Sequence, residues 1–109
     1  MLKRLIAGLF ALLTFTFAAP ALAEPNLTSG AQVFSANCAA CHIGGGNAVN
    51  AQKTLKKDVL EQYEMFDADK IIYQIQKGKN AMPSFTGRIT DAQMVDVAAY
   101  VLQQAEAGW

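Results

Sequence analysis

Sulfur ligands and imidazoles are scarce in this chain of 109 residues, which has two cysteines and a single histidine. A scaffold held by several disulfides, or a zinc site with four cysteine and histidine ligands, is therefore excluded. Strand-like alternation, internal repeats and low-complexity segments are also missing, and basic and acidic residues balance at nine each. The length allows one small domain, and the absent alternation makes a helical one the expectation.

The N-terminal segment, residues 1–23, is typical of a secretory leader. Lys3 and Arg4 form its basic start, an apolar run follows, and Ala-Leu-Ala makes a small-x-small cleavage site. A retained membrane anchor is the alternative, but polar residues follow directly, without a basic stop-transfer cluster. Cleavage before Glu24 leaves a single domain, residues 24–109, with seven basic and nine acidic side chains and a net charge of about −2. We expect this domain to have no membrane anchor and no nucleic-acid partner.

Helical signals dominate the expected mature domain. A domain of this size often needs a disulfide, metal or cofactor, because it buries little apolar surface. Capping residues and apolar spacing predict an all-α fold of about four helices. The expected helices run from Thr28 or Ser29 to Asn37, from Thr54 to about Tyr63, from an Asp67 cap to Gly78, and from a Thr90 and Gln93 capping box through Val101.

The strongest motif is Cys38-Ala39-Ala40-Cys41-His42, a C-x-x-C-H sequence that is typical of covalent haem attachment. Two residues between the cysteines let both sulfurs reach the two vinyl positions of a porphyrin. The histidine that follows then lies at the metal. We therefore predict one haem c, attached through Cys38 and Cys41 and ligated by His42.

Three other interpretations of the cysteine pair stay open. A thioredoxin-like dithiol usually lies where a strand meets a helix, and the sequence predicts no strand. A zinc half-site needs more ligands, and the chain has no third cysteine or second histidine. A plain disulfide is the third, because exported cysteines without haem commonly pair.

A second axial ligand must come from outside the motif, because His42 is the only histidine. A lysine, water, the terminal amine and three methionines are the alternatives. Met82 is preferred, since it lies in a loop beside Pro83, whereas Met94 follows a helix cap and Met65 sits among core candidates. Histidine and methionine ligands together raise the reduction potential and favour electron transfer over catalysis.

These residues resemble the class I cytochromes c, and residues 30–109 are similar to cytochrome c6 of cyanobacteria and algae. The resemblance implies about four helices around one haem, in an electron carrier that is not an enzyme. It also implies transfer from the cytochrome b6f complex to photosystem I in the thylakoid lumen, with cytochrome oxidase as a second acceptor. Its marks are the haem motif, Gly44-Gly45-Gly46-Asn47, Lys53-Thr54-Leu55, Gly78-Lys79-Asn80-Ala81-Met82-Pro83 and Ala98-Ala99-Tyr100-Val101.

The resemblance further implies roles for three polar residues. Gln52 is expected near the haem, where it tunes the potential, and Asn47 in the loop beside the macrocycle. Arg88 matches a position implicated in docking onto photosystem I. The alternatives are solvated loop amides for Asn47 and Gln52 and an ordinary surface arginine for Arg88.

Two rival functions share the haem motif. A small haem peroxidase or gas sensor needs a vacant axial site and usually a distal acid or base, and the sequence has no spare histidine. A respiratory carrier in the periplasm has the same fold and haem chemistry, because both are shared across class I cytochromes c.

Overall fold

The computed structural model describes residues 11–14 and 24–109. The predicted leader, residues 1–23, and its cleavage site lie outside the described residues, apart from the four at 11–14. Within the described part, the helices confirm the all-α prediction, and none is both long and apolar enough to cross a membrane. The helices are α1 (Leu27–Asn37), α2 (Ala39–His42), α3 (Lys57–Gln62), α4 (Ala68–Lys77) and α5 (Asp91–Ala107), with a 3-10 turn at Ile43–Gly45.

The last two helices, α4 and α5, begin at the predicted caps. The Asp67 carboxylate accepts a hydrogen bond from the Lys70 backbone N–H at 3.1 Å at the start of α4. Thr90 and Gln93 form the capping box of α5, with reciprocal hydrogen bonds of 3.1 and 2.8 Å. Gly78 ends α4 with φ +69°, a backbone conformation that favours glycine.

Helix α1 begins earlier than predicted. The expected cap at Thr28 or Ser29 is wrong, because Asn26 caps the helix by accepting a hydrogen bond from the Ser29 backbone N–H at 2.9 Å. The Asn26 backbone N–H in turn donates to Asp96 Oδ1 on α5 at 2.8 Å. This tertiary bond fixes the start of α1 against the last helix.

Helix α3 is shorter than the segment predicted from Thr54, since it begins at Lys57. The backbone just before it is used for tertiary hydrogen bonds instead. Leu55 donates its N–H to Gly45 O at 2.8 Å and accepts a bond from Trp109 Nε1 at 2.8 Å. These bonds commit the segment to tertiary contacts, and the helix begins three residues later than predicted.

Helices α1 and α5 cross in close contact and form the centre of the core. A Cβ on Gly30 would meet Asp96 O and lie 2.8 Å from Tyr100 Cβ, so only glycine permits this approach. The Phe34 and Tyr100 rings fill the adjacent space, with centroids 5.5 Å apart. The buried core consists of Val33, Phe34, Leu60, Ile71, Ile75, Phe85, Ile89, Met94, Val97, Ala98, Val101 and Ala105.

Candidate haem-binding site

The haem motif occupies one helical turn at the junction of α1 and α2. The Cys38 N–H donates to Phe34 O at 2.9 Å and completes α1, and the His42 N–H donates to Cys38 O at 2.9 Å across α2. Residues three and four apart on a helix share a face. Cys41 and His42, three and four residues after Cys38, therefore both neighbour Cys38 on this turn.

A backbone carbonyl orients the imidazole of His42. Its Nδ1 lies 2.8 Å from Gly46 O. A carbonyl oxygen only accepts, so Nδ1 carries the hydrogen and Nε2 of the neutral ring presents its lone pair to a metal. Gly44 and Gly45, with φ +61° and +77°, turn the chain back so that Gly46 reaches the ring.

The surroundings of Cys38 argue against thiol redox chemistry at this residue. Cys38 is half-buried, and desolvation raises the pKa of its thiol from 9.0 to about 11. A reactive dithiol needs a lowered pKa, because the thiolate is the nucleophile. No group of three potential metal-ligating His, Cys, Asp or Glu side chains occurs in the part of the chain that the structure describes. The donor set of two sulfurs and one oriented imidazole fits a haem c.

Met82 lies in a tight loop that follows α4. Lys79 and Met82 exchange two backbone hydrogen bonds of 2.9 Å each. A Cβ on Gly78 would lie 2.6 Å from Met82 O, so glycine is required where the loop folds back. Met82 is half-buried, and its sulfur accepts a hydrogen bond from Gln74 Nε2 at 3.4 Å.

The other two methionines of the expected mature chain belong to the packing of the domain. Met94 is 1% exposed within α5, in the centre of the core. Met65 is half-buried and packs against the edge of that core. Met65 follows α3 in a turn of its own, where its N–H donates to Leu60 O at 2.7 Å.

Asn47 and Gln52 lie in the loop between the motif and α3. Asn47 organises that loop, since its Nδ2 donates to Lys53 O at 2.9 Å and its Oδ1 accepts from Asn50 N at 2.8 Å. The side chain of Gln52 is exposed. Arg88 is also exposed, with its guanidinium carbon 5.8 Å from the centroid of the Phe85 ring.

Sequence reasoning missed two residues beside the site, Gln74 and Trp109. Gln74 lies three residues after buried Ile71 and next to buried Ile75, so an amide on the apolar face of α4 was a usable signal. Trp109 covers Gly45, where a Cβ would meet its indole ring. No local sequence pattern pairs Gln74 with Met82 or Trp109 with Gly45.

The family of the chain follows from comparison with known proteins. A family model described as "Cytochrome C oxidase, cbb3-type, subunit III" matches residues 25–101. Cytochrome c6 of Thermostichus vulcanus is 58% identical over 110 residues, which cover 100% of this chain and 98% of that protein. Cytochrome c6 of Synechococcus elongatus is 67% identical over 84 residues, 77% of this chain and 97% of that protein. The chain belongs to the cytochrome c6 family.

A solved cytochrome c6 has the same fold. The crystal structure of cytochrome c6 from the diatom Phaeodactylum tricornutum is 51% identical, has a TM-score of 0.75, and covers 77% of this chain and 99% of its own. The predicted class I cytochrome c fold is thus confirmed. A cytochrome c6 carries one covalently attached haem c and is an electron carrier, not an enzyme.

Proposed function

We propose that this cytochrome c6 carries electrons, one at a time, from the cytochrome b6f complex to photosystem I in the thylakoid lumen, with a terminal oxidase as a second acceptor. The relatives named cytochrome c6 include cyanobacterial proteins and proteins of the red alga Pyropia, and these organisms perform oxygenic photosynthesis. The observation that carries the proposal is the single helical turn that presents two cysteine sulfurs and a histidine already oriented by Gly46.

Four side chains are assigned to the haem. Cys38 and Cys41 would form the two thioethers, and His42 Nε2 and Met82 Sδ would ligate the iron. This assignment is supported by the single turn that contains the motif and by half-buried Met82 on a tightly turned loop. Asn47 and Gln52 are proposed to lie close to the haem. Asn47 shapes the loop that is proposed to lie beside it.

In electron transfer, the role of the protein is to hold the haem ligands in fixed positions. The haem supplies the one-electron couple between ferric and ferrous iron. The Gly46 carbonyl restrains the His42 ring, and the paired backbone bonds between Lys79 and Met82 restrain the loop that carries Met82. One electron enters from the donor and the same electron leaves to the acceptor, so no bond needs to form or break.

A surface for contact with large partners is proposed around the motif and Arg88. Ile43 directly follows His42 and is 77% exposed, and Val49 in the next loop is 66% exposed. Exposed apolar side chains suit short-lived docking, and a charge at the rim speeds the encounter. Stacking over Phe85 holds the Arg88 charge at the surface.

Residues 1–23 are proposed to be removed on export, which makes the protein a soluble carrier of the lumen. N-terminal sequencing of the protein purified from a photosynthetic host should begin at Glu24. An intact Met1, or a start well inside residues 24–109, would contradict this assignment.

The experiment is flash photolysis of photosystem I with the purified mature haem protein. We expect the photooxidised reaction centre to be re-reduced at a rate that rises with protein concentration, saturates, and changes with salt. Arg88→Gln should slow the second-order rate by roughly three- to tenfold, while Lys70→Gln, which removes an exposed charge on α4, should change it little. Negligible re-reduction by the unaltered protein would refute the photosynthetic role and favour a respiratory partner.

A further inference from the structure

The amide of Gln74 contacts the sulfur of Met82 from a different structural element. Gln74 is a half-buried residue of α4, and Met82 lies eight residues later in the following loop. Nε2 of Gln74 donates to Sδ of Met82 at 3.4 Å. A thioether sulfur is a weak acceptor, so this contact is an unusual use of a strong amide donor.

The backbone around Met82 does not by itself fix its sulfur. The Lys79 and Met82 backbone bonds hold the main chain of the loop. The sulfur, however, lies at the end of three rotatable bonds, which make methionine the most adaptable apolar side chain. A directional contact to the sulfur therefore adds a restraint that the loop backbone does not supply.

A thioether sulfur has two lone pairs, so an iron bond leaves one free to accept from an amide. The geometry points to Gln74 as a positioning residue that donates its N–H to the free lone pair of the iron-bound Met82 sulfur and thereby raises the reduction potential. This inference rests on the proposed ligation by Met82. Metal ligands are commonly held by such outer hydrogen bonds, which also tune the metal.

The direction of the effect follows from electrostatics. The amide N–H presents the positive end of a dipole to the ligand, and oxidation of the iron adds a positive charge beside it. The donor therefore disfavours the oxidised state. Replacing the amide by an apolar side chain would, through lower polarity alone, disfavour the extra charge and raise the potential instead. The sign of the change separates a hydrogen bond from simple packing.

The test compares Gln74→Leu with Gln103→Leu in the mature haem protein. Gln103 is exposed on α5, so Gln103→Leu makes the same amide-to-leucine change away from the site. We expect Gln74→Leu to lower the ferrous-to-ferric ratio at a fixed solution potential by about two- to fivefold, a fall of about 20–40 mV at 59 mV per tenfold. Cyanide should also bind the ferric variant faster, because the sulfur is less restrained. Gln103→Leu should match the unaltered protein in both measurements.

Proton NMR of the reduced proteins distinguishes failure of this inference from failure of the ligand assignment. A methionine methyl resonance shifted strongly upfield by the haem ring current reports an iron-bound sulfur. If that resonance persists in Gln74→Leu while the potential is unchanged or higher, the amide only packs and the inference is overturned. If the unaltered protein lacks the resonance, the proposed ligation by Met82 fails, and the inference fails with it.

Discussion

At the scale of single residues, the two cysteines of the motif differ in how far the protein covers them. Cys38 packs against the core, and desolvation raises the pKa of its thiol to about 11. Cys41 is exposed. The proposed thioether chemistry is the same for both. The difference in burial should therefore appear in stability and not in haem attachment.

The variants Cys38→Ser and Cys41→Ser each remove one proposed thioether. In both, the absorption band of the reduced pyridine derivative should shift to longer wavelength, because one vinyl group stays conjugated. A serine hydroxyl at the half-buried position 38 is also desolvated, so urea unfolding should show Cys38→Ser about 1 kcal/mol less stable than Cys41→Ser. Equal stability would contradict the burial argument, and an unshifted band would contradict the thioethers.

At the scale of elements, the crossing of α1 and α5 depends on one missing side chain. A Cβ at Gly30 would collide with the Asp96 carbonyl, which belongs to a helix backbone and cannot move freely. Two effects of a Gly30→Ala change therefore oppose each other. Alanine gains roughly 0.5–1 kcal/mol in helix propensity, while overpacking costs about 1–3 kcal/mol.

We expect the collision to prevail, so that Gly30→Ala lowers the free energy of unfolding by about 1–2 kcal/mol in urea titrations. Ser35→Ala, at an exposed position of the same helix, is the matched control and should change stability by less than about 0.5 kcal/mol. A more stable Gly30→Ala protein would show that α1 and α5 can separate at little cost.

The elements also show how much of the fold and site could be predicted from the sequence. The caps at Asp67 and Thr90 depend on hydrogen bonds within three residues, so local patterns contain them. The late start of α3 depends on bonds from Leu55 to residues far along the chain, and no local pattern contains those. The haem motif could be predicted for the same reason as the caps, because its residues are close together in the sequence. The contact of Gln74 with Met82 needed the folded loop.

At the scale of the whole described domain, the C-terminal residue holds the loop that orients His42. The Trp109 ring lies 5.3 Å from the Phe34 centroid and 6.3 Å from that of Tyr100. Its Nε1 donates to Leu55 O at 2.8 Å, and the ring covers Gly45. The last residue thus joins α1, α5 and the loop that follows the haem motif.

Trp109→Ala should therefore lower the free energy of unfolding by about 2–4 kcal/mol, since it removes a half-buried aromatic ring. Trp109→Phe keeps much of the packing and loses the hydrogen bond to Leu55, so a loss of about 1–2 kcal/mol is expected. Urea titrations of the two haem proteins make the comparison. Equal losses would mean that the hydrogen bond, and not the ring, holds the loop.

The proposed electron carrier requires that His42 and Met82 would both ligate the haem iron. Proton NMR of the reduced mature protein tests this most directly, with Met82→Leu and Met65→Leu as a matched pair. We predict one methionine methyl resonance shifted strongly upfield, lost in Met82→Leu and retained in Met65→Leu. A resonance that survives Met82→Leu, or none in the unaltered protein, would contradict the ligation on which the proposed transfer to photosystem I depends.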